Sequence, residues 1–207
     1  MVFTTPSEIE RESMRLIGTE LAARGICVPE ARRAVVLRVI HTTADFDYAE
    51  NLRFTQGSIR LPHGGMIVTD TNMALSGINR TALSRLGMDA CCFMAEDEVA
   101  REAKARGTTR AVVSMDRAAA LYPGAVFAVG NAPTALLRLA ERIEEGLRPA
   151  LVIGVPVGFV NVTESKERAL AVCERYGVPA IIALGRKGGS NVAAAICNAL
   201  LYEAGGR

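Results

Sequence analysis

The 207-residue chain is half apolar and carries 24 Lys and Arg against 22 Asp and Glu, a formal net charge of only +2. That size suits one medium domain, taken as residues 1–207, with a substantial core, and charges interspersed without a basic arm or stripe argue against a nucleic-acid partner. Five cysteines, two of them adjacent in an apolar run (Cys91, Cys92), do not read as a secreted disulfide framework; no segment has the roughly 18 consecutive apolar residues of a membrane span, and the N-terminus lacks a signal-peptide core, so a soluble, cytoplasmic protein with no membrane role is expected.

Ser7 followed by Glu10 resembles a capping box, and Ile9, Met14, Leu16, Ile17 and Leu21 recur at near-helical spacing up to Gly25, which predicts a first helix. Pro29 sits where a second helix can begin, and its apolar residues run on to His41-Thr42-Thr43-Ala44-Asp45. His41 therefore falls at or near a helix C-terminus. Strands are predicted at residues 66–69, 90–94, 125–129, 150–155 and 179–184, and helices at 80–86, 97–105, 110–121, 133–145, 163–176 and 190–202. The last three strands are uninterrupted apolar runs, as in parallel strands buried on both faces. This alternation predicts an α/β fold: a three-layer, doubly wound, mainly parallel sheet of about five strands, with two extra N-terminal helices. Those two helices either pack on the sheet or reach a second subunit.

The chain has no G-x-G-x-x-G after a strand, no G-x-x-x-x-G-K-[ST], no C-x-x-C and no G-x-S-x-G. His41 and His63 lie in different local contexts without helical metal-ligand spacing, so no protein-bound metal is expected. What remains is a rim of polar groups at strand ends, where open α/β sheets bind ligands. Asp70 to Met73 follow one strand, Gly130-Asn131 another, Val157 to Glu164 a third and Arg186 to Asn191 a fourth. Gly188-Gly189-Ser190 before a helix offers backbone N–H groups to an anion, with Arg186 and Lys187 adding charge; alone, the same stretch is a tight turn and cap. Arg80 and Arg110 sit at helix starts, where a cation gains nothing from the dipole, so either a task or a solvated surface position accounts for them. Glu164-Ser165-Lys166 most simply opens a helix, with a site role for Lys166 as the minority reading. Histidine is the side chain suited to general acid or base work near neutrality, which makes His41 the first catalytic candidate; the plain alternative is a cation at a helix C-terminus.

Taken together, Ile40 to Asp45, Val68 to Met73 with Gly77 to Arg80, Gly107 to Arg110, Val129 to Leu136, Pro156 to Val160 with Glu164 to Lys166, and Gly185 to Ser190 resemble the precorrin-8X methylmutase family of cobalamin biosynthesis, which includes cobalt-precorrin-8 methylmutases. The resemblance covers nearly the whole chain. It implies an isomerase that moves a methyl group from C-11 to C-12 of a tetrapyrrole ring, giving hydrogenobyrinate or cobyrinate. It further implies no cofactor and a homodimer with sites near the subunit interface. By the same resemblance His41 exchanges a proton with the macrocycle, Ser13 belongs to the substrate site and Arg110 lies beside the ring. The surrounding parts are Thr42, Thr43, Asp70, Met73, Arg80, Asn131, Val157, Gly158, Arg186, Lys187, Gly188, Gly189 and Ser190.

A corrin precursor carries many acetate and propionate groups, which suit a rim of arginines and exposed N–H groups. Met73, Val157 and Phe159 either pack on the flat ring or belong to the core. The Thr-Thr-Ala-Asp after His41 is similar to the cobalt-using forms, and any cobalt arrives inside the substrate. Two other readings are kept: a carrier that holds an anionic tetrapyrrole without transforming it, and a phosphate- or nucleotide-binding α/β enzyme resting on Gly188-Gly189-Ser190 alone.

Overall fold

A computed structural model of the protein describes residues 5–56 and 59–206; residues 1–4, 57, 58 and 207 of the expected 1–207 domain lie outside the described residues. In chain order the elements are α1 (Pro6–Ala23), α2 (Glu30–Thr43), α3 (Tyr48–Asn51), β1 (Leu52–Phe54), β2 (Gly65–Thr69), α4 (Asn72–Gly77), α5 (Arg80–Arg85) and β3 (Met88–Cys91). They continue with α6 (Asp97–Arg106), α7 (Arg110–Leu121), β4 (Val126–Val129), α8 (Pro133–Glu144), β5 (Leu151–Gly154), α9 (Val162–Tyr176), β6 (Ala180–Ala183) and α10 (Ser190–Ala204).

The sheet order is β1-β6-β5-β4-β2-β3. Five strands run parallel, and β1 pairs antiparallel with β6 in the register Leu52↔Ala183. Every residue of β4, β5 and β6 is buried, as their continuous apolar runs require. One face is covered by α1, α2, α4, α5 and α10, whose core includes Val39, Ile40, Ile67, Ile153 and Ile196. The other is covered by α6 to α9, with Phe127, Leu136, Leu139 and Val152 at its centre. The N-terminal helices thus pack within the chain, α1 on α2 and α2 on α10.

The alternation and the mainly parallel sheet are as the sequence predicts; two short helices that it does not predict, α3 and α4, are added, and three further differences follow. The sheet has a sixth strand, because the edge strand β1 is three residues long with only one of them buried and carries no apolar run to detect. β3 lies at residues 88–91 rather than 90–94: it too is an edge strand, and the apolar residues beyond it belong to the turn, where Phe93 packs into the core and stacks on Tyr122. The first capping box is formed by Thr5 and Glu8, not Ser7 and Glu10; Thr5 precedes Pro6, whose fixed φ starts the helix.

Candidate functional site

His41 lies in the last turn of α2, which ends at Ala44 in the left-handed region (φ 54°), with the Ala44 N–H donated to Ile40 O at 2.7 Å. Its Nδ1 is 2.7 Å from Oγ of Ser13 on α1, so two residues 28 apart in sequence meet at one point. A hydroxyl can donate to or accept from Nδ1, so either imidazole tautomer is held and Nε2 is left to give or take a proton. One turn earlier, Arg38 bonds Glu10 and stacks over the Tyr202 ring, which pins α2 to α1 and α10. Thr42 and Thr43 turn their hydroxyls back to the Arg38 and Val39 carbonyls, and Thr43 also accepts the Asp45 N–H at 3.2 Å. Thr43 thereby shapes the exit from the helix.

The strand order reverses between β2 and β4, the place where such sheets open a crevice at their carboxyl ends. Here Asp70 bridges it. The fully buried carboxylate accepts the N–H of Gly130 at 2.8 Å on one oxygen and those of Asn131 and Ala132 at 2.8 and 2.7 Å on the other. Burial pushes the Asp70 carboxyl up, against the three N–H groups that pull it down. Asp70 therefore does not reach the surface as a substrate contact; it holds the turn that exposes Asn131. Beside it Thr71 Oγ1 meets Ser190 Oγ at 2.8 Å, tying the end of β2 to the start of α10, so the nearly buried Ser190 side chain is also spoken for. The packing is close enough that a Cβ on Gly130 would lie 2.8 Å from Ser190 Cα.

The loop after β6 departs furthest from the free-cation rim that the sequence suggests. Lys187 Nζ is 2.6 Å from a carboxylate oxygen of Asp45 and 2.6 Å from one of Asp47, so its charge is matched within the chain. Both carboxylates raise the Lys187 pKa, and Lys187 in turn holds Asp45 down against its partial burial. The Gly189 N–H is also taken, by Val155 O at 2.9 Å. Gly188 must be glycine: a Cβ there would sit 2.1 Å from Val155 O. Beneath the loop lies Lys166, fully buried in the first turns of α9, with Nζ donating to Gly185 O at 2.8 Å and Lys187 O at 2.7 Å. Burial lowers its pKa to about 8.

Met73, Val157 and Phe159 are 74%, 46% and 83% exposed, so the core alternative fails for all three. Phe159 projects from a flap in which Gly158, at φ 144°, donates its N–H to Arg186 O, and the Arg186 guanidinium stacks over the Phe159 ring at 5.4 Å. Arg110 is exposed at the start of α7, where Thr109 caps the helix and meets Thr134 at the start of α8, on the sheet face opposite His41. Arg80 is not on the strand rim. Its neighbour Asn79 bonds Asn198 and Tyr202 in the last turns of α10, about 12 and 18 Å along that helix from Ser190 at 1.5 Å per residue. Among the site-shaping residues, Asp47 is not singled out by the sequence, and Asp45 and Lys166 stand in the family-like stretches without a role of their own. The acids follow a helix end and the lysine opens a helix, both ordinary surface patterns.

A family model described as precorrin-8X methylmutase matches residues 8–203. The chain is 47% identical over 176 residues to cobalt-precorrin-8 methylmutase of Salmonella typhimurium, covering 82% of this chain and 80% of that one. It is 37% identical over 201 residues to precorrin-8X methylmutase of Pseudomonas aeruginosa, covering 94% of both. The fold is similar to a crystal structure of precorrin-8X methyl mutase from Thermus thermophilus, with a TM-score of 0.80 at 39% identity over 95% of this chain and 96% of the other.

Proposed function

The chain belongs to the precorrin-8X methylmutase family, isomerases of cobalamin biosynthesis, and on that premise we propose that it moves a methyl group from C-11 to C-12 of cobalt-precorrin-8, giving cobyrinate, with His41 as proton donor and acceptor. The observation that carries the role of His41 is its 2.7 Å contact with Ser13 at the exposed end of α2. In the isomerisation the C-11 to methyl bond breaks and the C-12 to methyl bond forms. His41 as imidazolium protonates or hydrogen-bonds a ring position, favours the tautomer from which the methyl migrates and takes the proton back, so composition is unchanged. Such general-acid help is worth about 10² to 10⁴ in rate.

The exposed side chains of Met73, Val157 and Phe159 suit the faces of a flat ring, and Arg110, Arg186 and the exposed Asn131 turn suit its carboxylates. The cobalt-bound substrate is favoured by the Thr-Thr-Ala-Asp segment after His41 and by the more similar relatives being named for it. We take the enzyme to be a cytoplasmic homodimer that needs no cofactor.

The test is anaerobic incubation with cobalt-precorrin-8 and, separately, metal-free precorrin-8X, following the absorption spectrum and the methyl signals by NMR. A relocated methyl signal is expected, faster with the cobalt compound. His41→Asn should lower turnover by about 10²-fold or more with binding retained. Binding without rearrangement by the wild-type protein would make it a carrier, and a His41→Asn variant with near wild-type turnover would remove the proton-exchange role.

A further inference from the structure

Lys166 is a buried ammonium whose bonded partners are two main-chain carbonyls of one loop, and burial is the cause that moves its pKa. A cation out of water is costly unless it is paired or well hydrogen-bonded, so this arrangement concentrates an expensive group on the segment Gly185–Lys187. The geometry has a directional consequence. In a trans peptide the C=O and the N–H point opposite ways. The Gly185 carbonyl shares its peptide with the Arg186 N–H, and the Lys187 carbonyl shares its peptide with the Gly188 N–H. With both oxygens drawn inward to Nζ, both N–H groups are directed away from Lys166. The intervening Arg186 carbonyl accepts from Gly158, and the next N–H, of Gly189, is used by Val155. Among the described residues no acceptor takes the Arg186 or Gly188 N–H.

We propose that Lys166 is a positioning residue of the substrate site: by holding the Gly185 and Lys187 carbonyls inward it presents the Arg186 and Gly188 N–H groups outward as a paired receptor for one carboxylate of the macrocycle. The proposal rests on the function proposed above, which supplies a polycarboxylate substrate. The exposed Arg186 side chain stands beside the pair. The Lys187 side chain, bound to Asp45 and Asp47, fixes the same loop to the segment that follows His41, so receptor and proton-exchanging group keep one geometry. Backbone N–H groups aligned in this way bind anions without a side chain.

The test titrates wild-type protein with hydrogenobyrinate, the metal-free product, and follows backbone amides by proton–nitrogen NMR. The Arg186 and Gly188 amide protons should move downfield together and gain exchange protection. Lys166→Met should raise KM by about 10- to 100-fold, the worth of a charge-assisted hydrogen bond, with kcat changed much less. Binding that leaves both amides unmoved overturns the proposal, as does a Lys166→Met enzyme with wild-type KM, or one that loses kcat and melting temperature with no selective rise in KM. If the variant does not fold, the wild-type amide result decides. Failure of both hydrogenobyrinate and cobyrinate to bind removes the proposed function, and this proposal with it.

Discussion

Replacing Asp70 with Asn separates a residue that builds the site from one that touches substrate. In the wild-type protein one carboxylate oxygen serves Gly130 and the other serves Asn131 and Ala132, all at 2.7–2.8 Å in a fully buried place. An Asn amide can keep its oxygen toward the pair of N–H groups, but its NH₂ then faces the Gly130 N–H, donor against donor. One hydrogen bond to a charged group is lost, and the Gly130 N–H and the new NH₂ both go unsatisfied, a cost of about 2–3 kcal/mol after the relief of no longer burying a charge. For a chain of this length that lowers Tm by about 4–12 °C. Urea denaturation of the substrate-free protein measures the stability change directly, and turnover kinetics follow at a temperature where both proteins are folded. KM should rise little, because the carboxylate does not face the rim. Unchanged stability with a large rise in KM would refute this reasoning and return Asp70 to the substrate contacts.

Ser13→Ala removes the partner of His41 Nδ1 while leaving the imidazole in place. A lost hydrogen bond of about 1 kcal/mol predicts a fall of about fivefold in kcat with binding retained, read by the same spectral assay; a loss as large as that of His41→Asn would mean that Ser13 itself reacts. Asp116, 9% exposed, accepts from Arg106, Arg138 and Arg142. Burial pushes its carboxyl up, but the three guanidiniums outweigh it and hold it below the usual range. Its stabilisation is therefore complete above the unfolded-state pKa and disappears as pH falls through the depressed folded-state value. Asp116→Asn should cost about 1–2 kcal/mol at neutral pH, the arginines being partly exposed, and flatten the acid limb of the stability curve measured by denaturation; a variant with an unchanged acid limb would place the acid sensitivity elsewhere.

The layers of the fold were legible because buried parallel strands and amphipathic helices leave different periods in the sequence, and each of β4, β5 and β6 sits inside a continuous apolar run. β1 and α3 left no such trace, being three and four residues long. Site residues were legible by type but not by role. Asp70, Lys187 and Ser190 were found because polar groups at strand ends attract notice, yet a sequence does not say whether a polar group faces a ligand or its own backbone. Asp70 faces the Gly130–Ala132 turn, Lys187 faces Asp45 and Asp47, and Ser190 faces Thr71. Those partners lie 60 to 142 residues away, a separation that no local pattern spans. The strand-end loops spend much of their polarity holding one another in place. What remains outward is arginine, backbone N–H and exposed apolar surface.

That division raises the question of which residues share a site, because His41 and Arg110 lie over opposite faces of the sheet. Ile9 and Leu16, each 53% exposed, flank Ser13 on α1, an apolar border beside His41 that suits burial against a second subunit. If the dimer places the His41 of one subunit against the Arg110 of the other, then mixing inactive His41→Ala with inactive Arg110→Ala subunits restores activity. In a two-fold dimer each mixed pair holds one intact site and one doubly altered site. Random exchange makes half of the dimers mixed, so the mixture should reach about a quarter of wild-type specific activity. Subunits exchanged under mild denaturant and assayed anaerobically supply the number. If both residues act within one chain, every mixed dimer carries one lesion in each site, and the mixture remains as inactive as its parents.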